Sequence, residues 1–141
     1  MATILSKLTN IKINTQLRIS LTGTSDNRKK GYKGEDDAAR FLEDKGYQIL
    51  KMNFHFGRYG EIDIVAKHGE YLVFVEVKLR KSKSFGHPLE SITQRKVNSL
   101  RRAAEGYLYV NKLTDHPCRF DVIAIEKTGT VSEFTHIENA F

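Results

Sequence analysis

The run Tyr71 to Lys78, YLVFVEVK, leaves the chain few options. A strand this apolar belongs in the middle of a sheet with both faces covered, yet it ends in Glu76 and Lys78. Side chains alternate along a strand. Leu72, Phe74, Glu76 and Lys78 therefore share one face, and Tyr71, Val73, Val75 and Val77 the other. A glutamate and a lysine project the same way from one stiff, buried element.

The preceding segment, EIDIVA, sets Asp63 between Ile62 and Ile64. Lys67-His68-Gly69-Glu70 joins the two as a four-residue hairpin connection containing glycine. Such a loop, or a tighter two-residue turn at Gly69-Glu70, brings Asp63 to the face of Glu76 and Lys78. The tighter turn sets it directly opposite Glu76, and a three-residue loop turns it away. Two adjacent carboxylates repel and call for a cation. A hard divalent ion such as Mg²⁺ takes one or two carboxylates and completes its shell with water and phosphate oxygens. It acidifies a water and stabilises charge on a phosphoryl group. Lys78 is placed to orient and deprotonate that water, or to hold the phosphate. The acid-x-Lys triplet by itself carries little, since about two arise by chance in a chain of this composition. Glu43-Asp44-Lys45 is another, and we assign it no role. The plain structural alternative is a local Glu76–Lys78 ion pair with Asp63 capping something nearby.

Elsewhere the periodicity predicts a helix over 34–45, with Ala38, Phe41 and Leu42 apolar and Gly46 ending it. A short strand at 47–50, a loop or bulge at 53–60 and a strand at 61–66 follow. Beyond the 71–78 strand come a polar loop at 80–88, a helix over about 91–112, and strands at 120–125 and 131–137. The order α-β-β-β-α-β-β predicts an α/β domain, a mixed β-sheet flanked by helices, over 31–141. Residues 1–30 are rich in Ser, Thr, Asn and Lys, with no acid before Asp26. They read as a flexible basic N-terminal extension, a composition shared with organellar transit peptides.

Two further residues have divided readings. Glu35 lies in the first helical turn and shares the stripe of Ala38, Ala39 and Leu42. It either complements the helix dipole or joins the site, whereas Asp36 and Asp37 point elsewhere. Lys96 sits between Ile92 and Leu100, and either reaches inward to a phosphate or snorkels at the surface.

Net charge is +6, but the first thirty residues hold +5 of it. High overall basicity is thus a poor argument for nucleic acid. The local pattern is better: Arg80, Lys81, Lys83, Arg95, Lys96, Arg101 and Arg102 stand against Glu90 alone, a patch able to neutralise phosphates. A solvated loop and helix face would carry the same charges. The single cysteine, Cys118, excludes an internal disulfide and a cysteine-based zinc cluster and suits a reducing compartment. No apolar run is long enough to cross a bilayer. A cytoplasmic protein without a membrane partner is the expectation. The histidines are scattered, and neither a Gly-rich phosphate loop nor a Ser or Cys nucleophile signature is present.

GYKGEDDAARFLEDKGYQIL, GEIDIVA, LVFVEVKLR, ESITQRKVNSLRRAAEGYL and CRFDVIAI, in that order and spacing, resemble the YraN-type family of small uncharacterised bacterial proteins over about residues 31–127. That family is similar to the PD-(D/E)xK, restriction-endonuclease-like nucleases, and to archaeal Holliday junction resolvases in particular. The resemblance implies metal ligands at Asp63 and Glu76, a catalytic lysine at Lys78, and the helical glutamate of resolvase-like members at Glu35. It implies Mg²⁺ or Mn²⁺ as cofactor, nucleic acid (DNA favoured) as partner and a homodimer. The activity implied is endonucleolytic hydrolysis of phosphodiester bonds in branched or single-stranded DNA. The alternative is a non-catalytic nucleic-acid-binding module that keeps the nuclease fold. Two departures stand out: Ile62 occupies the proline position of the superfamily name, and FHFGRYG before Gly60 is longer and more aromatic than expected.

Overall fold

Two hydrophobic strands set the middle of the molecule. The structure, a computed structural model, describes residues 13–20, 34–81 and 86–141. β4 (Tyr71–Arg80) is buried without interruption from Leu72 to Val77, and β5 (Cys118–Thr128) from Asp121 to Ile125. The two pair in parallel, and unbroken buried runs of this kind need cover on both faces. β3 (Gly60–His68) and β2 (Gln48–Phe56) continue the sheet antiparallel on one side, and β6 (Val131–Ile137) on the other. Parallel neighbours require a crossover, which α2 (Gln94–Val110) supplies. With α1 (Glu35–Asp44) before β2, the elements follow the expected order α-β-β-β-α-β-β, a mixed five-stranded sheet flanked by two helices.

β1 (Ile13–Ser20) adds a strand outside β6, antiparallel to it. It falls within the segment expected to be an extension; the rest of 1–30 lies outside the described residues.

The expected alternation along β4 holds. Leu72 and Phe74 pack under α2 with Val97, Leu100, Ala103 and Tyr107. Val73, Val75 and Val77 pack under α1 with Ala38, Phe41 and Leu42.

Several boundaries differ from the sequence-based expectation, among them those of β5, which spans Cys118–Thr128 in place of 120–125. β2 runs to Phe56 instead of ending near residue 50, so only 57–59 form the turn. Phe54 and Phe56 pack against the α2-side core, Phe54 edge-on to Tyr107 at 5.1 Å, and burying two aromatic rings outweighs the local turn signals. Asn53 keeps its place in the ladder with a left-handed backbone, φ +51°, and the strand's irregularity lies earlier, between Ile49 and Lys51.

The crossover helix also starts later than expected. Pro88–Ser91 is a short 3-10 turn, and Thr93 then caps α2 by accepting a 3.1 Å bond from the Lys96 amide. Thr93→Ala is expected to cost about 1 kcal/mol of stability, read as a lower midpoint in urea with an unchanged slope.

Candidate active site

The β3–β4 hairpin decides where Asp63 goes. His68 pairs with Tyr71, so the turn is the two-residue Gly69-Glu70. Gly69 adopts φ +58°, as a glycine in the first position of such a turn does. From there the ladder runs to Ile64↔Val75 and stops. One step further, Asp63 meets Glu76, the partner that this register predicts.

The strand turns over at that point. Ile64 packs in the α1-side core, yet Ile62, two residues away, packs in the α2-side core. Asn53, with its left-handed backbone, lies between the Met52↔Ile64 and Phe54↔Ile62 pairs of the neighbouring ladder. As β3 parts from β4, the Val77 amide loses a backbone partner, and Asp63 Oδ2 accepts from it at 2.8 Å. The carboxylate thus closes the gap in the ladder and is held rigidly against β4.

Asp63 and Glu76 are 8% and 5% exposed, and their carboxyl groups are close enough to act on each other directly. Burial, and then the charge of Asp63, push the Glu76 carboxyl up to about 7. Burial also raises Asp63, against the pull of the Val77 amide. Such a pair titrates as a unit. Lys96 Nζ lies 3.5 Å from Glu76 Oε1, while Glu76 Oε2 is buried with no hydrogen-bond partner among the described residues. Lys78, half-buried two residues along β4, adds its positive charge to the field at Glu76. Lys96 is therefore the residue that the sequence left undecided and that the fold brings in. Its amide is fixed by the Thr93 cap, and helical side chains lean toward the N-terminus.

Other candidates are placed differently. Glu35 opens α1, which packs on the opposite face of the sheet. Among the described residues no group of three His, Cys, Asp or Glu side chains converges as if to hold a metal. Arg80 is engaged in the fold: its guanidinium lies 3.4 Å from Glu126 and donates to the Gly86 carbonyl at 2.6 Å. Lys81, Arg95, Arg101 and Arg102 are exposed, and Lys83 lies outside the described residues.

A second polar cluster went unread in the sequence. Asp121 and His136, both fully buried, meet at 2.8 Å. Arg119 donates to Asp121 at 2.9 and 3.0 Å and to the Tyr47 hydroxyl at 2.8 Å. Lys45 Nζ donates to His136 Nδ1 at 2.8 Å. Two strands, the residue before β2 and the end of α1 contribute, so no spacing within one element reveals it.

No helix among the described residues is long and apolar enough to cross a membrane. Residues 34–125 match the uncharacterised protein family UPF0102. A UPF0102 protein of Acetivibrio thermocellus is 41% identical over 128 residues, covering 86% of this chain and 98% of that protein. One from Syntrophomonas wolfei is 45% identical over 82% of this chain and 99% of its own length. For Pelotomaculum thermopropionicum the figures are 48%, 79% and 93%. Asp63, Glu76, Lys78 and Lys96 all lie inside the matched region, and the chain belongs to the UPF0102 family.

Proposed function

We propose that this protein is a metal-dependent nuclease that hydrolyses phosphodiester bonds, with DNA as the favoured substrate. One observation carries the reading: two buried carboxyl groups in contact, one of whose oxygens lacks a partner among the described residues, beside two lysines. A purely structural pair would be expected to satisfy every buried oxygen. An all-oxygen donor set fits Mg²⁺ or Mn²⁺, which needs only one or two carboxylates from the protein. Asp63 and Glu76 would hold the ion, with Glu35, at the start of α1, the further ligand that the family resemblance implies. When bound, the ion supplies charge stabilisation to the phosphate and lowers the pKa of a water.

The chain's own groups supply the rest. Asp63 is pinned by the Val77 amide, so the pair keeps its geometry when the substrate arrives. Lys78 reaches the site from the open end of β4 and orients the attacking water or holds a phosphate oxygen. Lys96 neutralises Glu76 in the metal-free protein and is free to turn to a phosphate once a divalent ion takes that role. Exposed Arg95 and Arg101 on α2 extend the positive field along the helix.

The test is cleavage of labelled duplex, single-stranded, flap and four-way-junction substrates with Mg²⁺ and with Mn²⁺. Lys78→Ala is expected to slow cleavage roughly 100-fold or more, and Lys96→Ala roughly ten-fold through weaker substrate binding. Absence of cleavage on every substrate with either metal ends the nuclease reading.

A second reading draws on the Lys96–Glu76 ion pair and the lack of a third metal-ligating side chain among the described residues. It makes the protein a nucleic-acid-binding module that keeps the nuclease fold without catalysis. Salt-sensitive binding with no cleavage, unchanged in Glu76→Ala, is its signature.

A further inference from the structure

We propose that the cleft between the β2–β3 turn and α2 receives an unpaired base of the nucleic-acid strand held at Asp63 and Glu76. This rests on the nuclease or nucleic-acid-binding reading above and names the class of substrate. The cleft has a volume of about 360 Å³ and is lined by Phe56, Tyr59, Arg102, Glu105, Gly106 and Tyr109. Scattered exposed aromatics are ordinary. Here two of them, Tyr59 at 56% and Tyr109 at 74% exposed, line one cleft together with an arginine.

The cleft is built into the fold. A Cβ on Gly106 would collide with the Phe56 ring, so glycine at that position lets the ring lie flush against the helix. Ser99 Oγ donates to the Tyr59 carbonyl at 3.1 Å and ties the turn to α2. Phe56 and Tyr59 rings lie 5.8 Å apart.

Position and chemistry select the occupant. Ser99, Arg102, Gly106 and Tyr109 follow one another at i, i+3, i+7 and i+10, one stripe of the helix. Arg102 lies about 9 Å further along the helix axis than Lys96, which sits 3.5 Å from Glu76. A strand whose phosphate lies at Glu76 thus brings a nearby nucleotide to the cleft. Aromatic rings accept any base by stacking, and an arginine plane adds to it. Glu105 can accept from a base amino group and repels phosphate, so the base enters while the backbone follows the exposed arginines outside. A base paired in a duplex is already stacked and cannot enter. The cleft therefore favours single-stranded or unpaired segments over continuous duplex.

The experiment uses the full chain with Ca²⁺ in place of the catalytic ion and fluorescein-labelled oligonucleotides: single-stranded DNA, RNA of the same sequence, and duplex DNA. Single strands are expected to bind more tightly than duplex. Tyr109→Ala and Tyr59→Ala should each weaken single-strand binding about ten-fold and leave duplex binding unchanged, with Tyr109→Phe restoring wild-type affinity. A 2-aminopurine walked along the strand should be quenched at one position by wild type and not by Tyr109→Ala. Melting curves confirm that the variants fold. Equal binding of duplex and single strand, unaltered binding in both alanine variants, or no quenched position overturns the proposal. Cleavage that persists alongside those results leaves the nuclease reading standing. Quenching without cleavage under Mg²⁺ or Mn²⁺ removes the nuclease and keeps the base site. Preference between the DNA and RNA strands identifies which the cleft serves.

Discussion

Glu76→Gln is expected to give a protein that melts higher than wild type at pH 8 and cleaves about a thousand-fold more slowly or not at all. The two effects share a cause. Burial and the neighbouring charge of Asp63 raise the Glu76 carboxyl from its ordinary 4.5 to about 7. Between those values the folded chain holds a proton that the unfolded chain has released. Metal-free wild type therefore loses stability as pH rises from 4.5 to about 7, and the loss persists above that. The shift corresponds to about 3 kcal/mol. Glutamine is uncharged throughout, so its curve lacks this slope, and the two proteins should melt alike near pH 4.5. Mg²⁺ should raise the melting temperature of wild type at pH 8 by binding the folded state, and leave the variant unmoved. Parallel pH curves for the two proteins, or equal response to Mg²⁺, would show that the carboxylate pair neither repels nor binds an ion.

Three of the four residues of the candidate site were legible in the sequence. Asp63, Glu76 and Lys78 lie on two adjacent strands joined by a short turn, and strand alternation with turn parity fixes their relation. The two-residue turn at Gly69-Glu70 then supplied the register that sets Asp63 against Glu76. Lys96 depended on tertiary packing. Its place follows from the Thr93 cap and from how α2 crosses β4, and neither is a property of the residues around it alone. Asp63 also does something that no alternation rule contains. It replaces a backbone acceptor for Val77 where the strands separate, because β3 turns over between Ile64 and Ile62. The β2 boundary was missed for the opposite reason. Asn53 and Gly57 gave turn signals that were locally correct, as their positive φ values show. The pairing of Phe54 and Phe56 with β3 nonetheless carries the strand through the first of them.

Asp121→Ala is expected to be the most destabilising single change, costing about 3–5 kcal/mol. Asp121 is fully buried and accepts four bonds: two from Arg119, one from His136 and one from the Asn139 amide. Its removal strands the Arg119 guanidinium, only 14% exposed, and a wholly buried imidazole. Asp121→Asn keeps an acceptor oxygen for Arg119 and should cost less. Burial alone would raise the Asp121 carboxyl, but the bonds from His136 and Arg119 overcome it and hold the group below its ordinary 3.8. Its contribution is thus fully present above 3.8 and is lost as pH falls through the lower folded value. This is the reverse of Glu76, whose raised pKa removes stability on the alkaline side. Metal-free wild type should accordingly be most stable between about pH 4 and 5, with the acid slope reduced in Asp121→Asn and the slope toward neutrality reduced in Glu76→Gln. The cluster packs on the α1 face with Phe41 and Tyr47, away from the carboxylate pair. Asp121→Asn should therefore cleave at the wild-type rate below its melting temperature. A Glu76-like loss of cleavage in that folded variant would mean that the two faces of the sheet act as one site.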